Sequence, residues 1–150
     1  MASDDDHSII QRESNMKTIN ATIERAKDGT FTVYCDNDIF SGAGNTLQEA
    51  KDDMKAQMSF YKETALSEGF KYPDFLDEEY NITYSVDAAS ILRYYIESGI
   101  FSLAGMEIVT GINQKQLWSY LNGVKPQKKQ KDRIVSGLKK LSADMNMIFA

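Results

Sequence analysis

The residues best suited to specific chemistry lie in one short stretch, residues 111–123 (GINQKQLWSYLNG). Its polar side chains include Gln114, Lys115 and Ser119, which share the outer side of a helix near its first turns. Glutamine can form paired hydrogen bonds with adenine, and lysine can donate to guanine. The stretch therefore predicts a helix that reads base edges in the major groove of double-stranded DNA.

The same stretch has an apolar side that would hold this helix in place. Gly111 supplies the left-handed backbone of a turn between two helices, and Ile112 would fill the angle between them. The inward face of the second helix consists of Leu117, Tyr120 and Leu121.

Basic residues continue beyond this helix. Residues 115–140 contain eight basic residues against Asp132 alone. The eight are Lys115, Lys125, Lys128, Lys129, Lys131, Arg133, Lys139 and Lys140. Neutralised phosphates supply much of the affinity of DNA-binding proteins, so this cluster fits the same partner. A solvated lysine face without a ligand is the alternative interpretation of the charge alone.

The sequence contains few residues suited to catalysis or to metal binding. His7 is the only histidine and Cys35 the only cysteine, so we expect no His-based catalysis, disulfide framework or zinc site. A metal-dependent nuclease needs several carboxylates around Mg²⁺, and the first predicted strand offers only Glu24. The other acidic residues nearby lie in or beside turns: Asp28, Asp36 and Asp38. We therefore expect no enzyme activity, no metal and no cofactor.

Length and composition fit one ordinary domain or two small ones: the chain has 150 residues, 42% hydrophobic and 26% charged. No apolar run approaches the roughly 18–20 residues of a membrane span. The acidic start has no apolar signal-peptide core, so a cytoplasmic protein without a membrane partner is expected.

Charge is divided unevenly along the chain. Residues 1–80 contain 8 Lys and Arg against 17 Asp and Glu, whereas residues 81–150 contain 9 against 5. Opposite signs in the two halves suggest two partners of opposite charge. We predict a flexible tail or extension at 1–15, an α/β module at 16–86 and a helical domain at 87–150.

Periodicity predicts an α+β fold, in which a small antiparallel sheet with one packed helix precedes an all-α domain. The first module would contain a hairpin over 17–36 with a turn at Asp28-Gly29, a short third strand around Ile39-Phe40, a helix over 46–67 and a strand over 80–86. The second would contain four short helices, at about 87–98, 102–110, 113–123 and from Pro126 onward.

Residues 106–123 resemble the helix-turn-helix of Cro and repressor proteins. The matching residues are Met106, Thr110, Gly111, Ile112, Asn113, Gln114, Leu117, Tyr120, Asn122 and Gly123. The resemblance implies base contacts from Gln114, Lys115 and Ser119. It implies phosphate contacts from Asn113, Asn122, Lys125 and Lys128.

Two residues depart from that pattern or are ambiguous within it. Glu107 stands where the pattern has a small residue packed against the next helix, so either the helices cross more loosely or Glu107 leans outward. Trp118 could touch a thymine methyl group or pack in a subunit or domain interface.

The first module resembles the HicB antitoxin family. Gly44, Thr46, Glu49 and Ala50 match its G-x-T-x-x-E-A signature, and the combined resemblance covers residues 17–145. It implies a partial RNase H-like fold followed by a DNA-binding domain. In the family, the first module blocks a small basic ribonuclease toxin and the second binds the operon's own promoter. The acidic first half suits a cationic partner.

The sequence thus predicts a non-enzymatic antitoxin of a HicA/HicB-type system that represses its own operon. A homodimer is expected, because palindromic half-sites pair with two-fold proteins. One alternative is a stand-alone helix-turn-helix regulator whose first module senses or dimerises. Another is a protein-binding module that does not bind DNA.

Overall fold

The computed structural model describes residues 16–150, and the predicted tail at 1–15 lies outside them. The described chain divides into two compact units, each with its own buried core. One unit contains residues 16–23 and 31–85. The other contains residues 24–30 and 86–150, so the end of the first hairpin belongs with the helical half of the chain.

A four-stranded sheet runs in the order β3-β2-β1-β4. Its strands are β1 (Lys17–Arg25), β2 (Phe31–Cys35), β3 (Ser41–Gly44) and β4 (Tyr80–Val86). The sheet is mixed, whereas the sequence predicted an antiparallel one. Because β1 and β2 form a hairpin and β2 and β3 are antiparallel, the parallel pair is β1 with β4. A helix between β3 and β4 allows such a parallel return.

That helix is α1 (Leu47–Glu68), and two glycines let it lie close to β3. A Cβ atom on Gly42 would lie 2.3 Å from the carbonyl oxygen of Ala50, and one on Gly44 would lie 2.5 Å from the Cβ of Glu49. Thr46 caps the helix by accepting from the N–H of Glu49 at 3.1 Å. The Glu49 carboxylate accepts in return from the N–H of Thr46 at 3.3 Å, which completes a capping box at the start of the helix.

The third strand begins two residues later than the sequence predicted. Phe40 precedes it, is buried, and accepts a hydrogen bond from the N–H of Cys35 at 2.9 Å. Its ring packs edge-to-face with those of Tyr61 and Phe75, at centroid distances of 5.4 and 6.1 Å. β3 has the sequence SGAG, which shows no alternation of apolar and polar residues. Its glycines are explained by the close approach of α1 and not by a preference for strand structure. A short 3₁₀ turn lies at Asp74–Asp77.

The helical half contains α2 (Ala88–Glu97), α3 (Leu103–Thr110), α4 (Gln114–Leu121) and α5 (Lys128–Phe149). Its buried core consists of Ala88, Leu92, Met106, Ile112, Leu117, Tyr120 and Ile134. The last helix, α5, has 22 residues, whereas the sequence predicted a short helix. Its N-cap is Gln127, so the buried Pro126 precedes the helix and does not occupy its first turn.

Arg25 connects the end of the first hairpin to α2 within the helical unit. Its backbone N–H donates to the hydroxyl of Ser90 at 3.1 Å. Its guanidinium lies 3.8 Å from the centroid of the Tyr94 ring, and Nη1 donates to the Tyr95 hydroxyl at 3.3 Å. A stacked, hydrogen-bonded arginine explains why residues 24–30 belong to this unit. Within residues 16–150, no helix has both the length and the apolar character to cross a bilayer.

Candidate nucleic-acid interface

The turn between α3 and α4 is fixed by a buried hydroxyl and a glycine. Thr110 Oγ1 donates to the carbonyl of Met106 at 2.8 Å and accepts from the N–H of Ile112 at 3.2 Å. Gly111 has a φ of +73°, and its N–H donates to the carbonyl of Glu107 at 2.8 Å. Because both Thr110 and Ile112 are buried, α4 begins at a defined position relative to α3.

Two side chains satisfy amides in the first turn of α4. Asn113 Oδ1 accepts from the N–H of Gln116 at 2.8 Å. Glu107 Oε2 accepts from the N–H of Gln114 at 3.0 Å. The Glu107 side chain is therefore directed at the start of α4, where its carboxylate serves as a second acceptor for that helix. A negative charge here offsets the positive end of the helix dipole and disfavours a phosphate at the same amides.

The remaining residues of α4 divide into two faces. Leu117 is fully buried and Tyr120 nearly so, which fixes the inner face. Gln114 and Lys115 are exposed, and Trp118 is 58% exposed. Within residues 16–150, no hydrogen bond or ion pair involves the side chains of Gln114 or Lys115. The outer face thus offers an amide, an ammonium group and an indole ring to a ligand.

Ser119 differs from the other two predicted base contacts. It is half-buried, and its hydroxyl donates to the carbonyl of Gln116 at 2.6 Å. Because the hydroxyl hydrogen is engaged inside the helix, only the oxygen lone pairs remain for an outside partner.

The four predicted phosphate contacts also fall into two groups. Asn113 caps α4, and Asn122 Nδ2 donates to the carbonyl of Trp118 at 2.8 Å, so both amides already take part in the local structure. Lys125 and Lys128 are exposed. All eight basic residues of 115–140 are exposed, and in the described part of the chain none of them forms a salt bridge. Their charge is available to an anionic partner.

Three of the acidic residues weighed for catalysis, Asp28, Asp36 and Asp38, accept hydrogen bonds in or beside turns. Asp28 accepts from the N–H and the hydroxyl of Thr30, and the hydroxyl bond lowers the pKa of Asp28. Asp36 accepts from the hydroxyl of Thr22 at 2.6 Å, and Asp38 accepts from the N–H of the next residue at 2.8 Å. Among residues 16–150, no group of three or more His, Cys, Asp and Glu is placed to hold a metal ion.

Cys35 is buried in the core of the sheet unit, where its Sγ lies 3.9 Å from the Met54 sulfur. Burial raises the pKa of its thiol to about 11, with the nearby Asp38 and Asp36 carboxylates adding to the effect. A buried thiol held protonated in this way is a packing group of the core.

A groove of about 440 Å³ lies along β3 and α1. Ile39 and Phe60 line it and are 70% and 66% exposed. The sequence signal for this surface is Phe60, an apolar residue of α1 that does not belong to the buried face formed by Ala50, Met54, Met58 and Ala65. The groove also contains Asp53, whose carboxylate accepts from the N–H of Ala43 at 2.9 Å and so satisfies an amide of β3.

Comparison with protein-family models, with curated proteins and with solved structures found no match to this chain.

Proposed function

We propose that the helical unit binds double-stranded DNA through a helix-turn-helix formed by α3 and α4. The observation that carries this proposal is the division of α4 into two faces. Its inner face is fully used by the core, whereas Gln114, Lys115 and Trp118 point outward without a structural role. A helix of this kind on a rigid turn suits insertion into a major groove.

The basic residues support the proposal on electrostatic grounds. Lys115 lies on α4, and the other seven follow it in the chain, on the loop before α5 and along α5 itself. All eight are exposed and so provide positive charge to a DNA backbone. Since phosphate contacts position a protein and base contacts specify the sequence, Lys125 and Lys128 would supply the first and Gln114 and Lys115 the second. Because the Glu107 carboxylate would repel a phosphate at the start of α4, base contacts would make the larger contribution to DNA binding by this helix.

A binding measurement with matched variants tests the proposal. Fluorescence anisotropy with duplexes from the region upstream of the gene should give saturable binding that weakens as salt rises. Gln114→Ala and Lys115→Ala should each weaken specific binding by about tenfold or more. Lys55→Ala removes an exposed lysine from α1 and should leave the affinity unchanged.

Absence of binding at low salt would contradict both the repressor and the stand-alone regulator and would leave the protein-binding alternative. An equal loss of affinity in Lys55→Ala and Lys115→Ala would show attraction by net charge without recognition by α4. Either result removes the helix-turn-helix assignment.

The sheet unit has a second candidate function, the neutralisation of a small basic ribonuclease in a HicA/HicB-type system, as the HicB resemblance implies. The groove beside β3 favours it, since a soluble unit that exposes Ile39 and Phe60 together offers an apolar surface for a partner. The acidic character of the first half of the sequence would attract a cationic protein. The resulting protein would be an antitoxin that represses its own operon as a homodimer.

Co-expression with the neighbouring gene tests this second function. If that gene encodes a small basic ribonuclease, the two proteins should co-purify, and Phe60→Glu should release the partner. Leu66→Glu replaces another exposed apolar residue of α1 outside the groove and should retain it. A neighbour unrelated to ribonucleases, or equal retention by both variants, would favour the stand-alone regulator.

A further inference from the structure

The last part of α5 lacks a partner within the described chain. All residues from 142 to 150 are exposed, although the helix continues to Phe149. Residues 142–149 therefore lack the packing of an apolar face, which supplies most of the stability of helices in proteins. The apolar residues among them are therefore expected to be covered in solution.

These apolar residues follow a regular spacing. Ile134, Leu138, Leu141, Met145 and Ile148 are separated by four, three, four and three residues. This is the spacing of the a and d positions in a coiled coil, and it places all five on one seam of the helix. Ile134 is fully buried and Leu138 packs against the core, whereas Met145 and Ile148 are 49% and 68% exposed. The seam therefore starts at the buried core of the helical unit and continues along α5 beyond that core.

We propose that this seam is the surface through which two copies of the chain pair. We define the dimer seam as Leu141, Met145 and Ile148, with Phe149 at its edge. The proposal deepens the proposed function, on which it rests for the homodimer, by naming the interface. A two-fold pairing uses the same patch on both copies, and a heptad seam is complementary to itself.

The distribution of charge favours a second copy as the occupant. Among residues 134–150, the charged side chains are Lys139, Lys140 and Asp144. Counting Met145 as an a position puts both lysines at b and c, away from the seam, and leaves only Asp144 on its edge. The helical units of two copies can therefore pair through this part of α5 without placing the lysines of one copy against those of the other.

The small size of the dimer seam determines the affinity expected between the two copies. Four side chains per copy are far fewer than the roughly 20–30 residues per partner in a standard stable complex. We therefore expect a weak dimer, with a Kd in the micromolar range, that operator binding would reinforce. Two recognition helices would then address two half-sites of a palindromic operator.

Sedimentation of the full chain without DNA tests the pairing directly, so its outcome does not depend on DNA binding. The wild-type chain should show dimer mass at concentrations on the order of 100 µM, well above a micromolar Kd. Met145→Lys should be a monomer under the same conditions. Met147→Lys is the matched control, because Met147 is 79% exposed and lies on the other side of the helix. It should remain a dimer.

Circular dichroism of each variant separates loss of pairing from loss of folding. Both methionines are exposed, so both variants should keep the wild-type helical signal of the core. A wild-type monomer at 100 µM would overturn the proposal. So would equal dissociation, or equal retention of the dimer, in Met145→Lys and Met147→Lys.

Discussion

The two motifs in this sequence do different work in the folded chain. In residues 44–50, Gly44 makes room for α1, Thr46 and Glu49 cap it, and Ala50 is fully buried. In residues 111–123, Gln114 and Lys115 are exposed and take no part in packing. Folding explains every matched residue of the first motif, so that motif supports a fold. In the second motif, folding explains the turn and the inner face but not Gln114 and Lys115, so those two residues point to a ligand.

The largest expected difference in the free energy of unfolding is between substitutions on the inner and outer faces of α4. Leu117→Ala should lower the free energy of unfolding by about 2–5 kcal/mol, because this side chain is fully buried. Trp118→Ala should change it by less than about 0.5 kcal/mol, as for other surface substitutions. Urea unfolding followed by far-UV circular dichroism measures both. A similar loss in the two variants would mean that Trp118 is packed and that α4 has no free outer face.

The next effect concerns the contact of α1 with β3. Gly42→Ala would place a Cβ atom 2.3 Å from backbone atoms of both Ala50 and Met54, so α1 would have to shift. We expect a loss of about 1–3 kcal/mol in the free energy of unfolding, as for other overpacked sites. Cys35 offers a local readout, because its buried thiol has a raised pKa and should be alkylated only when the sheet unit opens.

Gly105→Ala is the control for the glycine substitution. A Cβ at Gly105 would meet only the Ser102 hydroxyl, at 3.3 Å, and alanine favours a helix over glycine. This variant should be at least as stable as the wild type, with unchanged alkylation of Cys35. Wild-type alkylation in Gly42→Ala would show that the close approach of α1 is not needed.

A smaller effect is expected at the start of α4. Glu107→Ala removes the acceptor for the N–H of Gln114 and should cost about 1 kcal/mol, as does loss of a helix cap. Glu107→Gln keeps an acceptor oxygen and should remain close to wild type in thermal unfolding. On the proposed function, both variants should bind DNA more tightly at low salt, because a negative charge has been removed. Weaker binding by Glu107→Gln would contradict the assigned orientation of α4.

The smallest effect is a pH dependence in the sheet unit. Hydrogen bonds from Lys62 and Tyr72 lower the pKa of Asp77, with the Lys62 bond the larger cause. A carboxyl group whose pKa is lower in the folded chain stabilises it above the unfolded pKa, about 3.9. That stability is lost as the pH falls through the lower, folded value. Asp77→Asn should flatten this part of the stability profile, and an unchanged acid profile would show that the contact is not maintained.

Local signals in the sequence predicted the elements well. The strand expected over 80–86 is β4, and the capping box places the start of α1 within one residue of the prediction. These features depend on neighbours along the chain, where alternation and capping are directly visible. The Asp28-Gly29 turn belongs to the same class, since two residues define it.

The features that the sequence did not predict depend on contacts between distant residues. The sheet is mixed because β4 pairs with β1, a strand more than fifty residues earlier in the chain. The glycine-rich sequence of β3 reflects the close approach of α1 at Gly42. Arg25 lies 65 positions before Ser90 in the chain, so its contacts with α2 leave no local pattern. Glu107 accepts from an amide seven residues away across a turn, which spacing within a single helix does not indicate.

The carboxylate of Glu107 has a consequence for how a DNA-binding protein would distribute itself in a cell. On the proposed function, it would repel every phosphate backbone to a similar degree, whatever the sequence, whereas contacts from Gln114 and Lys115 would be gained only at matching bases. The penalty would therefore fall on all sites, and only the operator would compensate for it. Because a genome offers a vast excess of competing sites, a lower non-specific affinity leaves more free protein to occupy its target.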